Sequence, residues 1–196
     1  MPMLGTLILV NKPANLNSSG VTLVEKAIAG NSAAIETLIE QQEPRIYALA
    51  RAILRQPECA EDATQETCLR MVQQLKSGRT LPVAFETWIL VVARNISLSI
   101  LRRRRVRGEG EYDAGKELQN ESPPSPIELV IKQEDIELVK KSIDSMPIHL
   151  REVLVLHYFH GLKLTEIAGI LEMSAENARI RLWRALRELR NSVGET

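Results

Sequence analysis

The chain is short of cysteine, of aromatic residues, of net charge and of long apolar runs, and each shortage excludes something. Its two cysteines, Cys59 and Cys68, form neither a metal-spaced set nor a disulfide framework, which fits a reducing cytoplasm. They read as small buried or half-buried side chains. Aromatics make up 4% of the chain, so its core rests on Leu, Ile, Val and Ala, enough for small helical domains. The apolar stretch "LGTLILV" (residues 4–10) has no basic residue before it and falls far short of the roughly 20 residues of a membrane span. No other segment has the length or apolarity to cross a membrane, and no β-type alternation stands out. With 25 basic and 25 acidic side chains the formal net charge is zero, which argues weakly against a nucleic-acid partner. No phosphate-binding glycine loop, nucleophile elbow or catalytic carboxylate pair appears. His157 and His160 stand at i, i+3 but have no third ligand nearby in sequence, so no metal or cofactor is expected.

What the chain does have is charge segregation. "SILRRRRVRGEGEYD" (residues 99–113) packs five arginines into six positions and follows them with three acids. From Arg94 to Arg107 there are six arginines and no acid. A helix C-terminus explains one or two cations through its dipole. The remainder make a phosphate-binding surface whose affinity should fall steeply with salt. The stretch "VRGEGEYDAGKELQNESPPSP" (106–126) is rich in Gly, Pro, Ser and acids, and carries almost no apolar periodicity. The expected fold is all-α: a disordered arm over 1–19, a helical domain over 20–105, a flexible acidic linker over 106–126 and a smaller helical domain over 127–193.

In the first domain, Leu23, Ala27 and Ile28 share a face, as do Ile35, Leu38 and Ile39, and then Ile46, Leu49, Ala50 and Ile53. Gly30-Asn31 separates two helices, and Pro44 should kink or restart the second. A helix with an acidic first turn runs to about Lys76, and Asp62, Glu66, Leu69 and Gln73 form one stripe on it. That stripe suits a partner with basic residues, and equally an ordinary solvated face. The next helix, from about Phe85 to Arg104, turns Phe85, Trp88, Ile89, Val92, Ile96 and Ile100 inward. Trp88 therefore reads as core rather than as a stacking platform. Asn95 lies beside the outward stripe, with donor and acceptor atoms for an exposed base edge, and the loop before this helix could receive an unstacked base.

In the second domain, helical patterns run over 127–142, 148–159, 163–171 and from 175 to about 191. A short helix bearing Ile167, Ala168 and Leu171 ends near Glu172-Met173, and Ser174 stands where it caps a longer helix. This is the outline of a helix-turn-helix. On the longer helix, Ala178, Leu182, Ala185, Leu186 and Leu189 form the buried stripe. Glu176, Ile180, Arg184 and Arg187 lie opposite, flanked by Asn177, Arg179 and Trp183. Such a face suits the major groove, where arginine pairs with guanine or phosphate and apolar atoms meet thymine methyls. A solvated basic amphipathic helix is the alternative, and the short helix and turn before it favour DNA.

Three blocks resemble a known family: "AEDATQETCLRMVQQL" (60–75), "FETWILVVARNISLSILRRRR" (85–105) and "MPIHLREVLVLHYFHGLKLTEIAGILEMSAENARIRLWRALRELR" (146–190) are similar to bacterial sigma factors of the sigma-70 family, extracytoplasmic-function (ECF) type. The resemblance covers roughly residues 20–192, in order. It implies a non-enzymatic factor in the cytoplasm that binds core RNA polymerase, through the β′ clamp helices and the β flap, and directs promoter-specific initiation. Residues 20–105 would be region 2, with Asp62, Gln65, Glu66 and Leu69 gripping the clamp helices. Ser77, Arg79, Arg94, Asn95, Arg102 and Arg105 would contact the melted −10 element. Residues 127–193 would hold region 4, with Asn177, Arg179, Ile180, Trp183, Arg184 and Arg187 on the −35 duplex. An anti-sigma factor is a further partner that the resemblance brings in. Ile180, and Leu98-Ser99 after the "RN" pair, depart from the family's usual polar residues, which leaves the promoter sequence open. Without polymerase, promoter binding should be weak, because flexibly tethered domains do not fix their spacing. The rival reading is a stand-alone helix-turn-helix regulator, which has no reason to carry the first two blocks.

Overall fold

A computed structural model describes residues 19–79, 84–108 and 136–194. The expected arm (1–18 of it), the end of the loop before the Phe85 helix, the body of the acidic linker and the first turns expected after it lie outside these residues. The described residues are helical and include no strand. The first unit holds α1 (Ser19–Ile28), α2 (Ser32–Leu54), α3 (Pro57–Lys76) and α4 (Phe85–Val106). The second holds α5 (Ile136–Ser145), α6 (Ile148–Leu154), a π-helical turn (Val155–Phe159), α7 (Leu164–Leu171) and α8 (Ala175–Gly194).

Local chemistry sets the boundaries. Gly30, at φ +89°, closes α1, and the Asn31 side chain accepts the Ala34 N–H at 3.0 Å to start α2. Arg55 takes a left-handed φ of 60° so that the chain can turn into α3, where Pro57 opens the helix. Pro44 does not restart α2, which runs unbroken from Ser32 to Leu54. The proline is exposed, so water can reach the carbonyl it leaves without a donor, while Ile35, Leu38, Ile46 and Leu49 are buried along the same rod. The expected helix over 148–159 divides at Val155 into an α segment and the π turn. Within that turn His157 Nδ1 lies 2.9 Å from the Leu162 carbonyl.

The two units pack against each other. One continuous apolar core runs from Ala27 in α1 through Ile46, Leu49 and Ile53 of α2 to Val153, Leu156 and Ile167 of the second unit. Helix α2 touches α1, α3 and α4, and also α6 and the π turn; α4 touches α7. Tethered domains with unfixed spacing are therefore not what this form shows. The physical reason is that α2 has apolar residues on more than one side, and the second unit covers the side that α3 and α4 leave open.

Two tests follow from this packing. Replacing Pro44 by Ala restores an N–H to α2 and should raise stability by about 2 kcal/mol, an interior-proline cost of about 3 less about 1 for a floppier unfolded chain. An unmoved urea midpoint would show that α2 absorbs the proline without loss. The second concerns His160, which is buried at the domain junction with neither ring nitrogen hydrogen-bonded. Burial, and secondarily Arg45, hold it neutral, lowering its pKa from 6.5 to about 3. The unfolded chain binds the proton more readily, so this stability is complete above pH 6.5 and is lost as pH falls towards 3. At pH 5 the loss should be about 2 kcal/mol. Melting His160→Leu beside the parent at pH 7 and pH 5 checks it: the variant should lose less on acidification.

Candidate nucleic-acid and partner interface

Helix α3 separates its two sides cleanly. Ala60, Ala63, Thr64, Thr67, Met71 and Leu75 are buried, and small residues at four of these positions allow close approach to α2 and α4. Thr64 and Thr67 satisfy their hydroxyls on the carbonyls one turn back, at 2.7 and 2.6 Å. Asp62, Gln65, Glu66 and Leu69 all lie on the exposed side, and Leu69 keeps 61% of its surface in water. Leu69 stands beside two carboxylates, a mixed apolar and acidic surface that does not suit a polyanion. Glu66 accepts from Arg70 Nε at 3.0 Å and Nη2 at 2.7 Å.

Between α3 and α4 lie two adjoining hollows. The larger, of about 810 Å³, has Asp62 and Glu66 on one wall and Arg103, Arg104 and Arg107 on the other. Arg104 Nη1 donates to Cys59 Sγ at 3.4 Å inside it. The smaller, of about 350 Å³, is bounded by Trp88, Val92 and Asn95 of α4, by Arg70, Gln73 and Gln74 of α3, and by Ser77 and Arg79. Its rim is tied: Ser77 Oγ donates to the Gln74 carbonyl at 2.7 Å, and Gln74 Nε2 reaches the Arg79 carbonyl at 3.4 Å. Gly78, at φ +65°, makes that turn possible. Trp88 packs partly on the core, 6.3 Å from the Phe85 ring, and also walls this hollow. The inward reading of Trp88 is thus half of its role. Five of the expected −10 residues are exposed: Ser77, Arg79 and Asn95 at the smaller hollow, and Arg102 and Arg105 on the end of α4.

Arg94 is placed differently. Its side chain is only 18% exposed, and Nε donates at 2.9 Å to Oε1 of Glu152 in α6. Glu152 is buried, and burial pushes its carboxyl pKa up against the pull of Arg94, Arg181 and Arg151. In this form Arg94 is engaged across the domain junction and not at the open surface. Next to it Arg151 is almost wholly buried with none of its guanidinium nitrogens hydrogen-bonded. Burial first, then Arg55, lowers its pKa to about 10, which leaves it charged at neutral pH. Arg55 itself donates to the Met146 carbonyl at 3.0 Å, and Arg51 lies 3.8 Å from Asp144.

The second unit presents the expected helix-turn-helix. Glu172 ends α7 in the left-handed region at φ 56°, and Ser174 Oγ accepts the Asn177 N–H at 3.1 Å to start α8. Ala178, Leu182, Ala185, Leu186 and Leu189 are buried as a stripe. Of the expected −35 residues, Asn177, Arg179 and Arg187 are exposed, and Ile180, Trp183 and Arg184 are half-buried. Arg179 is paired with Glu176 at 2.7 Å, and the Arg187 guanidinium sits 4.6 Å over the Trp183 ring. Among the described residues no group of His, Cys, Asp and Glu could hold a metal ion, and no helix is long and apolar enough to cross a membrane.

The residues that the sequence did not single out are Arg70, Gln74, Arg151, Glu152 and Arg181. Arg70 was legible in principle, as the i+4 partner of Glu66. Glu152 and Arg151 were not, because charged positions on a short amphipathic helix are ordinarily solvated.

Comparison with known proteins gives the same division. The family model "Sigma-70 region 2" matches residues 38–107 and "Sigma-70, region 4" matches residues 136–189. The probable RNA polymerase sigma factor RfaY of Xanthomonas campestris pv. campestris is 30% identical over 170 residues, 85% of this chain and 42% of that protein. The ECF RNA polymerase sigma factor SigE of Mycolicibacterium smegmatis is 29% identical over 161 residues, 82% of this chain and 62% of that protein. The chain thus spans about half the length of these two relatives. Among solved structures, the sigma factor RpoE in complex with the anti-sigma factor NepR, from Bartonella quintana, shares the fold with a TM-score of 0.61 at 19% identity, over 81% of this chain and 96% of that one.

The junction itself is testable. Arg94→Ala leaves the Glu152 carboxylate buried without its hydrogen-bonded partner, an effect of about 3 kcal/mol if the units stay together. The units should part instead, and small-angle scattering should record a larger radius of gyration than for the parent. An unchanged radius with an unchanged melting midpoint would show that the pair does not hold the junction.

Proposed function

The chain belongs to the ECF group of the sigma-70 family, and from that premise we propose that it binds core RNA polymerase and directs promoter-specific initiation in the cytoplasm. The observation that carries this is the pairing, in one chain, of two basic helical surfaces of different kinds: a Trp88-walled hollow beside an arginine-rich helix end, and a capped helix-turn-helix. We assign 20–105 to region 2, 106–126 to the linker and 127–193 to region 4.

In this reading Asp62, Gln65, Glu66 and Leu69 engage the β′ clamp helices, and region 4 lies by the β flap. Asn177, Arg179, Ile180, Trp183, Arg184 and Arg187 read the −35 duplex. A base of the melted non-template strand enters the hollow between Trp88 and Asn95, with Ser77 and Arg79 at its rim. Arg102 and Arg105 hold phosphates. The binding energy of captured bases offsets unpairing, about 1.4 kcal/mol per stacked step. The factor supplies sequence specificity, and the polymerase supplies the synthesis. Arg94 joins the −10 contacts only when Glu152 releases it, so full promoter engagement requires the two units to separate. An anti-sigma factor is a further partner, by analogy with the complex in which the RpoE neighbour was solved.

Transcription in vitro with sigma-free core polymerase on a promoter library tests the reading. Start-site-specific RNA is the expected result. No RNA from any template, with no co-elution of chain and polymerase, would overturn it. In the same assay Arg184→Ala should weaken −35-dependent binding by about 1–3 kcal/mol if this residue pairs with a base edge. Equal initiation on all templates would remove Arg184 from the reading surface.

A further inference from the structure

The two hollows between α3 and α4 share a wall. Arg70 from α3 and Asn95 from α4 line both of them. On one side of that wall stands Glu66, which belongs to the proposed polymerase-binding stripe. On the other stand Trp88 and Arg79, which belong to the proposed base-binding hollow. Arg70 is turned towards Glu66, with both of its hydrogen bonds on Oε1. Both side chains are about half exposed, 55% for Arg70 and 48% for Glu66. An exposed i, i+4 pair of this kind is weak, screened by salt and readily exchanged for another partner.

We infer that Arg70 links the two hollows: a basic side chain of the polymerase that takes the Glu66 carboxylate frees the Arg70 guanidinium to serve the Trp88 hollow. This deepens the proposed function and rests on it, since it assigns Glu66 to the polymerase and the Trp88 hollow to the melted strand. The chemistry is an exchange of partners. Glu66 keeps a cation throughout. Arg70 loses a carboxylate and gains, on the far side of the same wall, a phosphate or base acceptor of single-stranded DNA. A guanidinium suits this because its planar donors serve carboxylate and phosphate equally well. Free factor thus carries its smaller hollow with one cation withdrawn, and contact with polymerase returns it.

Glu66→Gln imitates the engaged state by removing the charge that holds Arg70. The chain has two tryptophans, so in a Trp183→Phe background Trp88 alone reports on its hollow by fluorescence. The probe is single-stranded DNA of randomised sequence, titrated at fixed salt. Glu66→Gln should lower the concentration for half-quenching by about two- to fivefold, the range that surface ion pairs span. In an Arg70→Ala background the same substitution should shift it by less than about half of that factor, because only general charge removal remains. Equal shifts in both backgrounds would mean that charge alone acts, and no shift in either would mean that Arg70 does not reach the hollow. Each of these results overturns the link. Circular dichroism of the four variants guards against misfolding, and Arg70→Lys supplies a second variant, which should retain part of the Glu66→Gln shift. If the parent chain transcribes with core polymerase yet the cycle is additive, the link fails and the sigma function stands. If the cycle is coupled yet no polymerase is bound, the function fails instead.

Discussion

Helix α2 packs against α1, α3 and α4 with part of its surface and against α6 and the π turn with another part. A helix buried on more than one side must be apolar well beyond one stripe, and α2 is: Ile35, Leu38, Ile46, Leu49, Ala50, Ile53 and Leu54 are all removed from water. Everything else takes its position from this rod. It fixes the spacing of α3 and α4, and so the hollows between them. It also carries Arg51, and Arg55 follows its last turn; these meet Asp144 near the end of α5 and Met146 just beyond it. The proline near its middle is tolerated because the burial on either side leaves the chain no better alternative.

The junction between the units is apolar at its centre and charged at its margin, and the charges do not balance. Arg94 and Glu152 satisfy each other, whereas Arg151 is buried beside them without a hydrogen bond. A buried ion pair gains Coulomb energy at the cost of desolvation, and an unsatisfied guanidinium adds cost without gain. The closed arrangement is therefore stabilised by hydrophobic contact and opposed by its own electrostatics. Such a junction can hold the units together without holding them tightly. The proposed function, with one unit on duplex and the other on melted DNA, calls for that combination.

Helical periodicity made most of the fold legible. The stripe of α8 and most of that of α2 are buried as their spacing indicates, and the Ser174 cap lies where the turn chemistry puts it. On α4 only Phe85, Ile89 and Ile96 of the expected stripe are buried; Trp88, Val92 and Ile100 stay half-buried, and Leu90, Ala93 and Ser97 turn inward instead. The exposed side of α3 was legible too, since Asp62, Glu66 and Leu69 interrupt no apolar pattern. Two things were not. The packing of unit on unit depends on surfaces far apart in sequence, and no local pattern announces that Arg94 will meet a residue 58 positions on. The double character of Trp88 escaped for a different reason. Periodicity sorts residues into inside and outside, whereas an aromatic ring at the edge of a core belongs to both.

The arginine-rich end of α4 has a consequence for encounter. The whole chain is electrically neutral, with a sequence pI near 6.9, so at long range it offers a polyanion no monopole. What remains is a dipole, and a dipole exerts torque before it exerts attraction. Beyond a Debye length, about 8 Å at physiological salt, even that is damped. Under the proposed function, approach to DNA is then governed by orientation, and the grip depends on which end arrives first.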